Sequence, residues 1–520
     1  MKYALPFNSV THLFRSVSPI RSTVLLLAAG LVPGLSVAQS SSSHAMNKIE
    51  HVVVIYAENH SFDNLYGKFP GANGIDKATP AQKRQLDHEG QPLKSLKVFD
   101  RHGHPDPAFP ELPNGPFQID AAPIHKKLTD LTPSGVHAFF HNKEQINGGQ
   151  NNMYVAMSNA GGWVMGYYSG EGMKLWQWAK DYTLADNFFM GAYGGSYLNH
   201  LWLICACTPK HQNAPKDMSI QLDAQGKLQK MPGSPSANEG AVKVFSGGGV
   251  QIDPEGNSVN TTQPPFQPSA IPPAPNGPRT LADSEGIRWG GKLQVALPPQ
   301  TLPTIGDRLN DKGISWAWYA GGFNQALADG MQEPSAERKV IYSKANGAPN
   351  FQPHHQPFNY FAHYAPGTAA RAKHLKDGED FFSDIEKGTL PAVSFYKPVG
   401  MQTQHPSYTD VQSGDSHIDS VLHKLKASPQ WKNMLVVVTY DENGGYWDHV
   451  PPPAGPGFSD TFGPGTRVPA LLIGPSVKKG YIDSSVYDTT SILKFVTERF
   501  KLAPLSGVRS RMGNLTNALE

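Results

Sequence analysis

The sequence predicts an α/β fold with a mostly parallel central sheet, helices on both faces and long loop insertions. Two apolar, β-branched runs at 49–57 and 434–440 are too short to span a membrane. Runs of this kind are typical of strands buried on both faces of a parallel sheet. The third observation is that strand-like and helix-like segments alternate along the chain, which favours the α/β class.

Both apolar runs end in a similar polar tip, since VVVIYAEN ends at Asn59 and VVVTYDEN ends at Asn443. In open α/β sheets, ligands bind just beyond the carboxyl ends of the strands, where Glu58, Asp441 and Glu442 fall. Hard oxygen ligands gathered in this way suit a divalent cation. One tip alone favours a loop start or a helix cap, but the matched pair predicts a metal site.

The composition excludes several partner classes and predicts export. The chain is 39% hydrophobic and 17% charged, and its formal net charge of +2 gives no case for nucleic acid or an anionic membrane surface as a partner. Residues 1–38 are predicted to be a signal peptide, because basic residues precede an apolar run and small residues follow at 36–38. Pro33 breaks that run, so a stable membrane anchor is the weaker interpretation, and we expect a periplasmic or secreted protein.

Residues 39–520 are predicted to form a single domain. Residues 208–303 are polar and proline-rich, and we interpret them as an insertion that covers the site rather than as a separate core. Cys205 and Cys207 stand two apart, which makes for a strained disulfide, so a disulfide and two buried thiols are equally consistent with the sequence.

The local patterns predict the remaining elements in order. Helices are expected after Ser61, at 174–185, from Ser196, after Thr304, at 377–387 and within 484–501, and strands within 313–322, at 392–396 and within 467–475. Ser416 and Asp419 form a plausible capping box for a further helix, whose apolar face includes Ile418 and Leu422.

Ser196 has two interpretations that the sequence leaves open. A serine after two glycines at a helix start can be an N-cap. It can also be a nucleophile, because glycines let a substrate approach the backbone and a helix N-terminus stabilises an alkoxide or a phosphate. Asn199 and His200 would face the same side of the helix, and both are candidate substrate contacts. The surrounding sequence is not the G-x-S-x-G elbow, which disfavours an ordinary esterase.

Several histidines are weak candidates on their own. His137 and His141 would share one face of a helix, and His137 is a candidate substrate contact. Adjacent histidines in a proline-rich loop, as at 354–355, are surface features in most proteins. His405 precedes a helix in a loop, where active-site residues tend to lie. Asp448 and His449 are rival metal ligands that rank below the two acidic tips.

Four longer motifs resemble the bacterial phosphoesterase family, most closely its acid phosphatase A type. They are IEHVVVIYAENHSFDNLYG, YGGSYLNH, TYDENGGYWDHVPPP and FGPGTRVPALLIGP. The family contains exported phospholipases C and acid phosphatases and is related in fold to alkaline phosphatase and the sulfatases. The resemblance covers 48–505 except the insertion, and it implies an alkaline-phosphatase-like sandwich.

The sequence departs from the phospholipases of that family at two motifs. Their first motif commonly reads E-N-R-S-F-D-H, whereas His60 and Asn64 stand here in place of the arginine and the final histidine. Their nucleophile is usually a threonine followed by P-N-R, whereas Ser196 is followed by Tyr-Leu-Asn-His. They also usually carry C-terminal β-rich repeats, whereas this sequence stops after its last predicted helix. The departures at the two motifs count against a phospholipase without excluding one.

The resemblance implies a complete site. One divalent metal ion, either calcium, magnesium, manganese or zinc, would be held by Glu58, Asn59, Ser196, Asp441 and Glu442. The phosphoryl group would be surrounded by histidines, namely His137, His354, His355 and His405. Ser196 would be the nucleophile, forming a phosphoseryl intermediate, and His355 or His405 would protonate the leaving group.

The expected function is therefore that of an exported acid phosphatase acting on phosphate esters, with a phospholipase C-type phosphodiesterase as the alternative. A histidine general acid must be protonated, so its activity fades as the pH rises past its pKa. A third hypothesis is an exported binding protein that keeps the fold and the ion without turnover. The sequence does not determine the physiological substrate or the oligomeric state.

Overall fold

The central sheet confirms the predicted fold class. The computed structural model describes residues 44–520, so the predicted signal peptide at 1–38 lies outside the described residues. The strands are β1 (His51–Ala57), β2 (Phe117–Gln118), β3 (Gly166–Tyr167), β4 (Thr183–Ala185), β5 (Phe188–Phe189), β6 (Ile287–Trp289), β7 (Lys292–Gln294), β8 (Trp316–Ala320), β9 (Leu375–Asp377), β10 (Val393–Lys397), β11 (Met434–Tyr440), β12 (Ala470–Ile473), β13 (Tyr481–Asp483) and β14 (Tyr487–Asp488).

The main sheet has eight strands in the order β13-β4-β12-β11-β1-β10-β8-β9. Every neighbouring pair is parallel except the two that involve β12, which runs antiparallel to β11 and to β4. β1 and β11 lie side by side in the middle of the sheet. Both strands are rich in β-branched residues and almost wholly buried, as expected of parallel strands that are covered on both faces.

The pairing of β1 with β11 is offset by one residue from the sequence repeat, in which VVVIYAEN aligns with VVVTYDEN. The repeat aligns Ala57 with Asp441, whereas the pairing sets Ala57 opposite Tyr440. Glu58 and Asp441 are therefore the first residues beyond the two paired strands. Because carboxyl ends of parallel strands meet at one edge of a sheet, both acidic tips emerge at the same place.

The helices of the described chain cover both faces of the sheet. They are α1 (Phe62–Tyr66), α2 (Pro80–Lys83), α3 (Phe139–Ile146), α4 (Lys174–Asp181), α5 (Ser196–Cys205), α6 (Ile305–Asn310), α7 (Phe323–Gly330), α8 (Ala369–His374), α9 (Gly378–Lys387), α10 (Val411–Ala427) and α11 (Thr489–Phe500). On one face, the Tyr56 hydroxyl of β1 donates to Asn199 O of α5. On the other, Tyr396 of β10, which is paired with Ile55, stacks on Phe381 of α9.

Two local predictions were wrong. The helix expected at 174–185 ends at Asp181, and the β-branched and apolar residues Thr183–Ala185 instead form β4 between β12 and β13. The helix expected to begin at Ser416 begins earlier, because Asp410 is its N-cap and accepts a hydrogen bond from Ser413 N. The capping box of Ser416 and Asp419 is therefore helix interior.

Other predictions are confirmed. α1 is capped by Ser61, α9 occupies 378–387 and α11 ends the run within 484–501. Cys205 and Cys207 form a disulfide at the end of α5, which decides between the two states that the sequence allowed. Among the described residues, no helix combines the length and the apolar character needed to cross a membrane.

Candidate active site

The two acidic tips meet Ser196 at the carboxyl edge of the sheet. Asn59 N donates to Asp441 Oδ1 at 3.2 Å, which ties one tip to the other. Ser196 Oγ lies 3.4 Å from Asn59 Oδ1 and 3.4 Å from Glu442 Oε1. All four tip residues are buried, and Ser196 is 7% exposed. The structure thus brings together the oxygen ligands that the sequence placed far apart.

Ser196 is the first residue of α5, and its hydroxyl does not cap the helix. The N-cap is Gly195, whose backbone is extended. Gly194 has φ +93°, and a Cβ there would lie 2.5 Å from Phe139 N, so this position requires glycine. The N-cap interpretation of Ser196 is therefore wrong, and its hydroxyl is free to face the acidic tips.

His137 and His405 line the cavity in front of Ser196, together with His354; the cavity has a volume of about 250 Å³. His137 Nδ1 donates to Gly135 O at 2.8 Å, so in the neutral ring Nε2 can accept from Asn59 Nδ2 at 3.3 Å. This contact turns the Asn59 amide oxygen towards Ser196. The rings of His137 and His405 lie 5.6 Å apart.

The expected helical pairing of His137 with His141 is wrong. Helix α3 begins at Phe139, so His137 precedes it while His141 lies within it. His141 is buried, and burial lowers its pKa to about 4. His137 reaches the site from the loop, whereas His141 packs inside the fold.

His354 and His355 form part of a buried histidine cluster rather than a surface loop. Both are at most 3% exposed in a short 3₁₀ turn. His355 Nε2 contacts Glu58 Oε1, and the His200 ring stacks on His355 with centroids 5.4 Å apart. Burial lowers the pKa of all three histidines, which favours their neutral forms.

Asn199 and His200 support the helix start from behind. The Asn199 amide donates to Ala192 O and Gly195 O and accepts from Ala192 N, so it holds the turn before Ser196. His200 Nδ1 donates to Ser196 O at 2.7 Å. Within the described chain, neither residue belongs to the lining of the cavity in front of Ser196.

Three residues around Glu58 were missed by the sequence analysis. Lys397 Nζ lies 2.8 Å from Glu58 Oε1 and 3.9 Å from Asp441 Oδ2, and its side chain is fully buried. Thr403 Oγ1 and Tyr408 OH each donate to Glu58 Oε2 at 2.9 Å. Lys397 ends β10, the neighbour of β1, so a lysine at the end of a predicted buried strand was the available signal.

The electrostatics of the site are unbalanced towards negative charge. Burial opposes ionisation of Glu58, but Lys397 and His355 hold its pKa well below the usual value. Burial raises the pKa of Asp441 to about 7, despite Lys397. Burial and the Asp441 charge raise the pKa of Glu442 well above the usual value. The raised pKa values indicate that a single ammonium is not enough to keep all three carboxyl groups ionised, and that a further cation would be needed to do so.

This arrangement fits a divalent cation. Adjacent oxygen ligands of Mg²⁺ or Ca²⁺ in near-octahedral geometry are about 3.0–3.6 Å apart, and Ser196 Oγ is 3.4 Å from each of two oxygens. Glu58, His354 and His355 also form a group with metal-ligand spacing. Glu58 is common to both sets, and we favour the oxygen set because Ser196 Oγ stands at ligand spacing from Asn59 Oδ1 and Glu442 Oε1.

The rival ligands Asp448 and His449 belong to a different network. Together with Asp63 they also have metal-ligand spacing. However, Arg467 Nε lies 3.0 Å from Asp448 Oδ1, and Arg467 Nη2 lies 3.1 Å from Asp63 Oδ1. The buried guanidinium already compensates these carboxylates, which leaves the two strand tips as the better cation site.

The predicted insertion forms one wall of the cavity, through Gly248, Val259, Asn260 and Thr261. Asn260 Oδ1 accepts from Phe139 N at 2.9 Å, which fixes the insertion to the start of α3. Tyr197 OH and Ser258 Oγ are 2.9 Å apart, which fixes it to α5. These bonds hold the wall in place beside Ser196.

Comparison with known protein families decides the membership of the chain. The model described as the Phosphoesterase family matches residues 49–503. The chain belongs to the phosphoesterase family. The phosphoesterase is thus a phosphoric ester hydrolase, as the sequence motifs implied.

Curated relatives of the phosphoesterase are named phospholipases C. Phospholipase C A of Mycobacterium tuberculosis is 23% identical over 482 residues, which cover 88% of this chain and 73% of that protein. Non-hemolytic phospholipase C of Burkholderia pseudomallei is 24% identical over 501 residues, covering 90% of this chain but only 57% of that protein. Non-specific phospholipase C6 of Arabidopsis thaliana is 33% identical over 150 residues, or 24% of this chain and 29% of that protein.

Solved structures that match the phosphoesterase do so at low similarity. The PsFucS1 sulfatase from Pseudoalteromonas sp. is 11% identical with a TM-score of 0.33, covering 94% of this chain and 75% of that chain. A protein in the alkaline phosphatase superfamily from Vibrio parahaemolyticus is 14% identical with a TM-score of 0.25, covering 50% and 57%. The family membership rests on the sequence match.

Proposed function

We propose that the phosphoesterase is an exported acid phosphatase that hydrolyses phosphate monoesters with Ser196 as its nucleophile. The observation that carries this proposal is the position of Ser196 Oγ. It lies at the first residue of α5, at the cavity, and 3.4 Å from oxygens of both acidic tips. Export is proposed from the composition of residues 1–38.

The residues proposed to hold one divalent metal ion are Glu58, Asn59, Ser196, Asp441 and Glu442. When bound, such an ion supplies a lowered pKa for the serine hydroxyl and charge to stabilise the phosphoryl oxygens. Calcium, magnesium, manganese and zinc all remain candidates, because the oxygen ligands have histidines nearby. Lys397 would lower the negative charge that the ion must balance.

In the first step, Ser196 Oγ attacks phosphorus in line with the departing ester oxygen. The new bond joins Oγ to phosphorus, the ester P–O bond breaks, and Glu442 Oε1 is within 3.4 Å to take the serine proton. The N–H groups at the start of α5, whose residues Ser196, Tyr197 and Leu198 line the cavity, would stabilise the charge of the phosphoryl oxygens. The product on the enzyme is phosphoserine.

The leaving alkoxide needs a proton, and His405 is the better placed of the two histidines proposed for this role. His405 lines the cavity, whereas His355 faces Glu58. We therefore assign His405 as the general acid and His355 as a residue that positions Glu58. Burial lowers the pKa of the His405 ring to about 3, so the ring carries the proton that it must donate only under acidic conditions. Water then attacks phosphorus and gives a proton to His405, the bond from phosphorus to Ser196 Oγ breaks, and the proton held by Glu442 returns to Oγ as phosphate leaves.

His137 and His354 are proposed to contact the phosphoryl group, since both line the same cavity. Asn199 and His200 are proposed to position the turn and the first residue of α5, because their polar groups bond to Ala192, Gly195 and Ser196. This differs from the direct substrate contact that the sequence suggested for them.

A phospholipase C-type phosphodiesterase is the second candidate. The curated relatives favour it, since two proteins named phospholipase C align with 88% and 90% of this chain. Release of diacylglycerol from phosphatidylcholine vesicles, compared with phosphate release from a soluble monoester, separates the two functions. We expect the monoester to be the better substrate.

The nucleophile is tested with Ser196→Ala, using Ser284→Ala, an exposed serine of the insertion, as the matched control. We expect Ser196→Ala to lower kcat on a chromogenic phosphomonoester by at least about 10³-fold, since removal of a catalytic nucleophile has effects of this order or larger. Acid quenching during turnover of a ³²P-labelled monoester should trap label on Ser196. Near-wild-type turnover by the variant would remove serine from the mechanism.

A further inference from the structure

A second cavity, larger and more apolar, lies within the insertion. Its volume is about 490 Å³. Its apolar lining consists mainly of Met218, Val250, Ile271, Ile287, Val295 and Tyr342. Among its lining residues in the described chain, formal charge is confined to Asp217 and Lys292. Asp217 is already engaged, because its carboxylate accepts from Leu293 N at 2.8 Å.

This apolar cavity adjoins the cavity in front of Ser196. Thr261 lines both. The glycine run 247–249 also lines both cavities, since Gly248 lines the Ser196 cavity while Gly247 and Gly249 line the apolar one. The two spaces thus adjoin along Thr261 and the glycine run, so a molecule at Ser196 has an apolar space directly beside it.

The rim of the apolar cavity carries exposed apolar surface. Trp289, on the hairpin of β6 and β7, lines the cavity and is 62% exposed. Ile287 is half-buried on the same strand. Burying this surface against an apolar ligand would remove it from water, which favours binding by about 25 cal/mol per Å².

We propose that the apolar cavity binds the alkyl or aryl leaving group of a phosphate ester whose phosphoryl group lies at Ser196. The insertion then selects amphipathic phosphate esters over small polar ones. This inference rests on the proposed function, because it assigns a place to the group attached to the attacked phosphoryl group. An apolar group fits here because Met218, Val250, Ile271, Ile287, Trp289 and Val295 supply most of the exposed lining, beside the polar side chains Gln251, Thr261, Thr262, Gln263 and Gln294, and the phosphoryl end has its own cavity at Ser196.

The test compares n-alkyl phosphates from ethyl to decyl, each below its critical micelle concentration, by phosphate release from the mature, metal-loaded enzyme. Burial of a methylene increases kcat/KM by up to about fourfold. We expect the ratio of kcat/KM for decyl phosphate over ethyl phosphate to exceed about 100 in the wild type.

Gly249→Leu is the matched perturbation. Gly249 lacks a positive φ, and a Cβ there meets no atom within 4 Å, so the leucine side chain enters open space without backbone strain. We expect this variant to lower the decyl-to-ethyl ratio at least tenfold. Gly115→Leu makes the same change at a distant glycine that is equally open, and its ratio should equal that of the wild type.

Binding of decylphosphonate and ethylphosphonate, measured by calorimetry, gives a readout without turnover. The cavity proposal is supported if the wild type binds decylphosphonate more tightly than ethylphosphonate and Gly249→Leu abolishes that difference. If the same protein hydrolysed no alkyl phosphate, only the proposed phosphatase function would fail. Hydrolysis of ethyl and decyl phosphate at the same kcat/KM would overturn the cavity proposal and leave the phosphatase intact. An unchanged ratio in Gly249→Leu would overturn it as well.

Discussion

The ammonium of Lys397 lies 2.8 Å from Glu58 Oε1, and both side chains are fully buried. Lys397 is the last residue of β10, and Glu58 directly follows the neighbouring parallel strand β1. Lys397 also lies 3.9 Å from Asp441 Oδ2. The Lys397 side chain therefore lies among the carboxylates that we propose to bind one divalent ion.

Lys397→Met should destabilise the protein by about 3 to 5 kcal/mol, because removing one partner of a buried ion pair leaves an uncompensated charge. The measurement is the free energy of unfolding in urea without added metal. Lys174→Met is the matched control, since its exposed pair with Asp419 at 3.2 Å should contribute less than about 1 kcal/mol. Equal losses in both variants would contradict a special role for Lys397.

A divalent cation should raise the melting temperature of the metal-free protein, and a chelator should abolish turnover. Binding to the folded state at 100 times the Kd stabilises by about 2.7 kcal/mol. The double variant Asp441→Asn, Glu442→Gln should lose this response in scanning calorimetry with calcium, magnesium, manganese or zinc. Asp448→Asn should keep it, because Asp448 is paired with Arg467. If only Asp448→Asn lost the response, the ion would bind at the cluster of Asp63, Asp448 and His449 and not at the two acidic tips.

His141 should make the fold sensitive to acid. Burial lowers its pKa from 6.5 to about 4, so the folded state favours the neutral ring. The stabilisation that depends on the neutral His141 ring is fully present above pH 6.5 and is lost as the pH falls through 4. We expect the unfolding free energy to have dropped by about 2 to 3 kcal/mol at pH 4.5. His141→Leu should flatten the dependence of the unfolding free energy between pH 7 and 4.5, whereas His104→Leu, at an exposed histidine, should not.

The two departures in the first motif should be energetically coupled. His60 Nδ1 lies 2.6 Å from Asn64 Oδ1, and His60 Nε2 lies 2.9 Å from Gln404 O. The family's arginine and histidine thus correspond here to two residues in direct contact. In a double-mutant cycle, His60→Arg with Asn64→His should be less destabilising than the sum of the single variants by about 0.5 kcal/mol or more. Strict additivity would show that the two substitutions are independent.

Much of the site was predictable because it follows from strand ends. Glu58 and Asp441 come directly after buried parallel strands, so the edge at which they meet is fixed once β1 and β11 are recognised. Ser196 was predictable as a candidate because it follows two glycines at a helix start, and glycines let a substrate approach the backbone closely. In each case the informative pattern is local and contiguous in sequence.

Two of the errors share a physical cause, since they concern residues whose environment comes from distant segments. His354 and His355 have the sequence context of a surface turn, yet they are buried against Glu58 and His200. Thr183–Ala185 continue a helical pattern, yet they complete the sheet between β12 and β13. Burial and strand pairing override local propensity at such positions.

The sequence by itself determined the α/β class, the two acidic strand tips, the serine at a helix start and the membership of the phosphoesterase family. These are encoded in contiguous runs whose hydrophobic pattern and turn residues act locally. Only the tertiary structure decided the one-residue offset between the strand repeat and its pairing, the position of Lys397 within the carboxylates and the apolar cavity beside Ser196. Those features depend on which side chains share a space after folding, and segments hundreds of residues apart supply them.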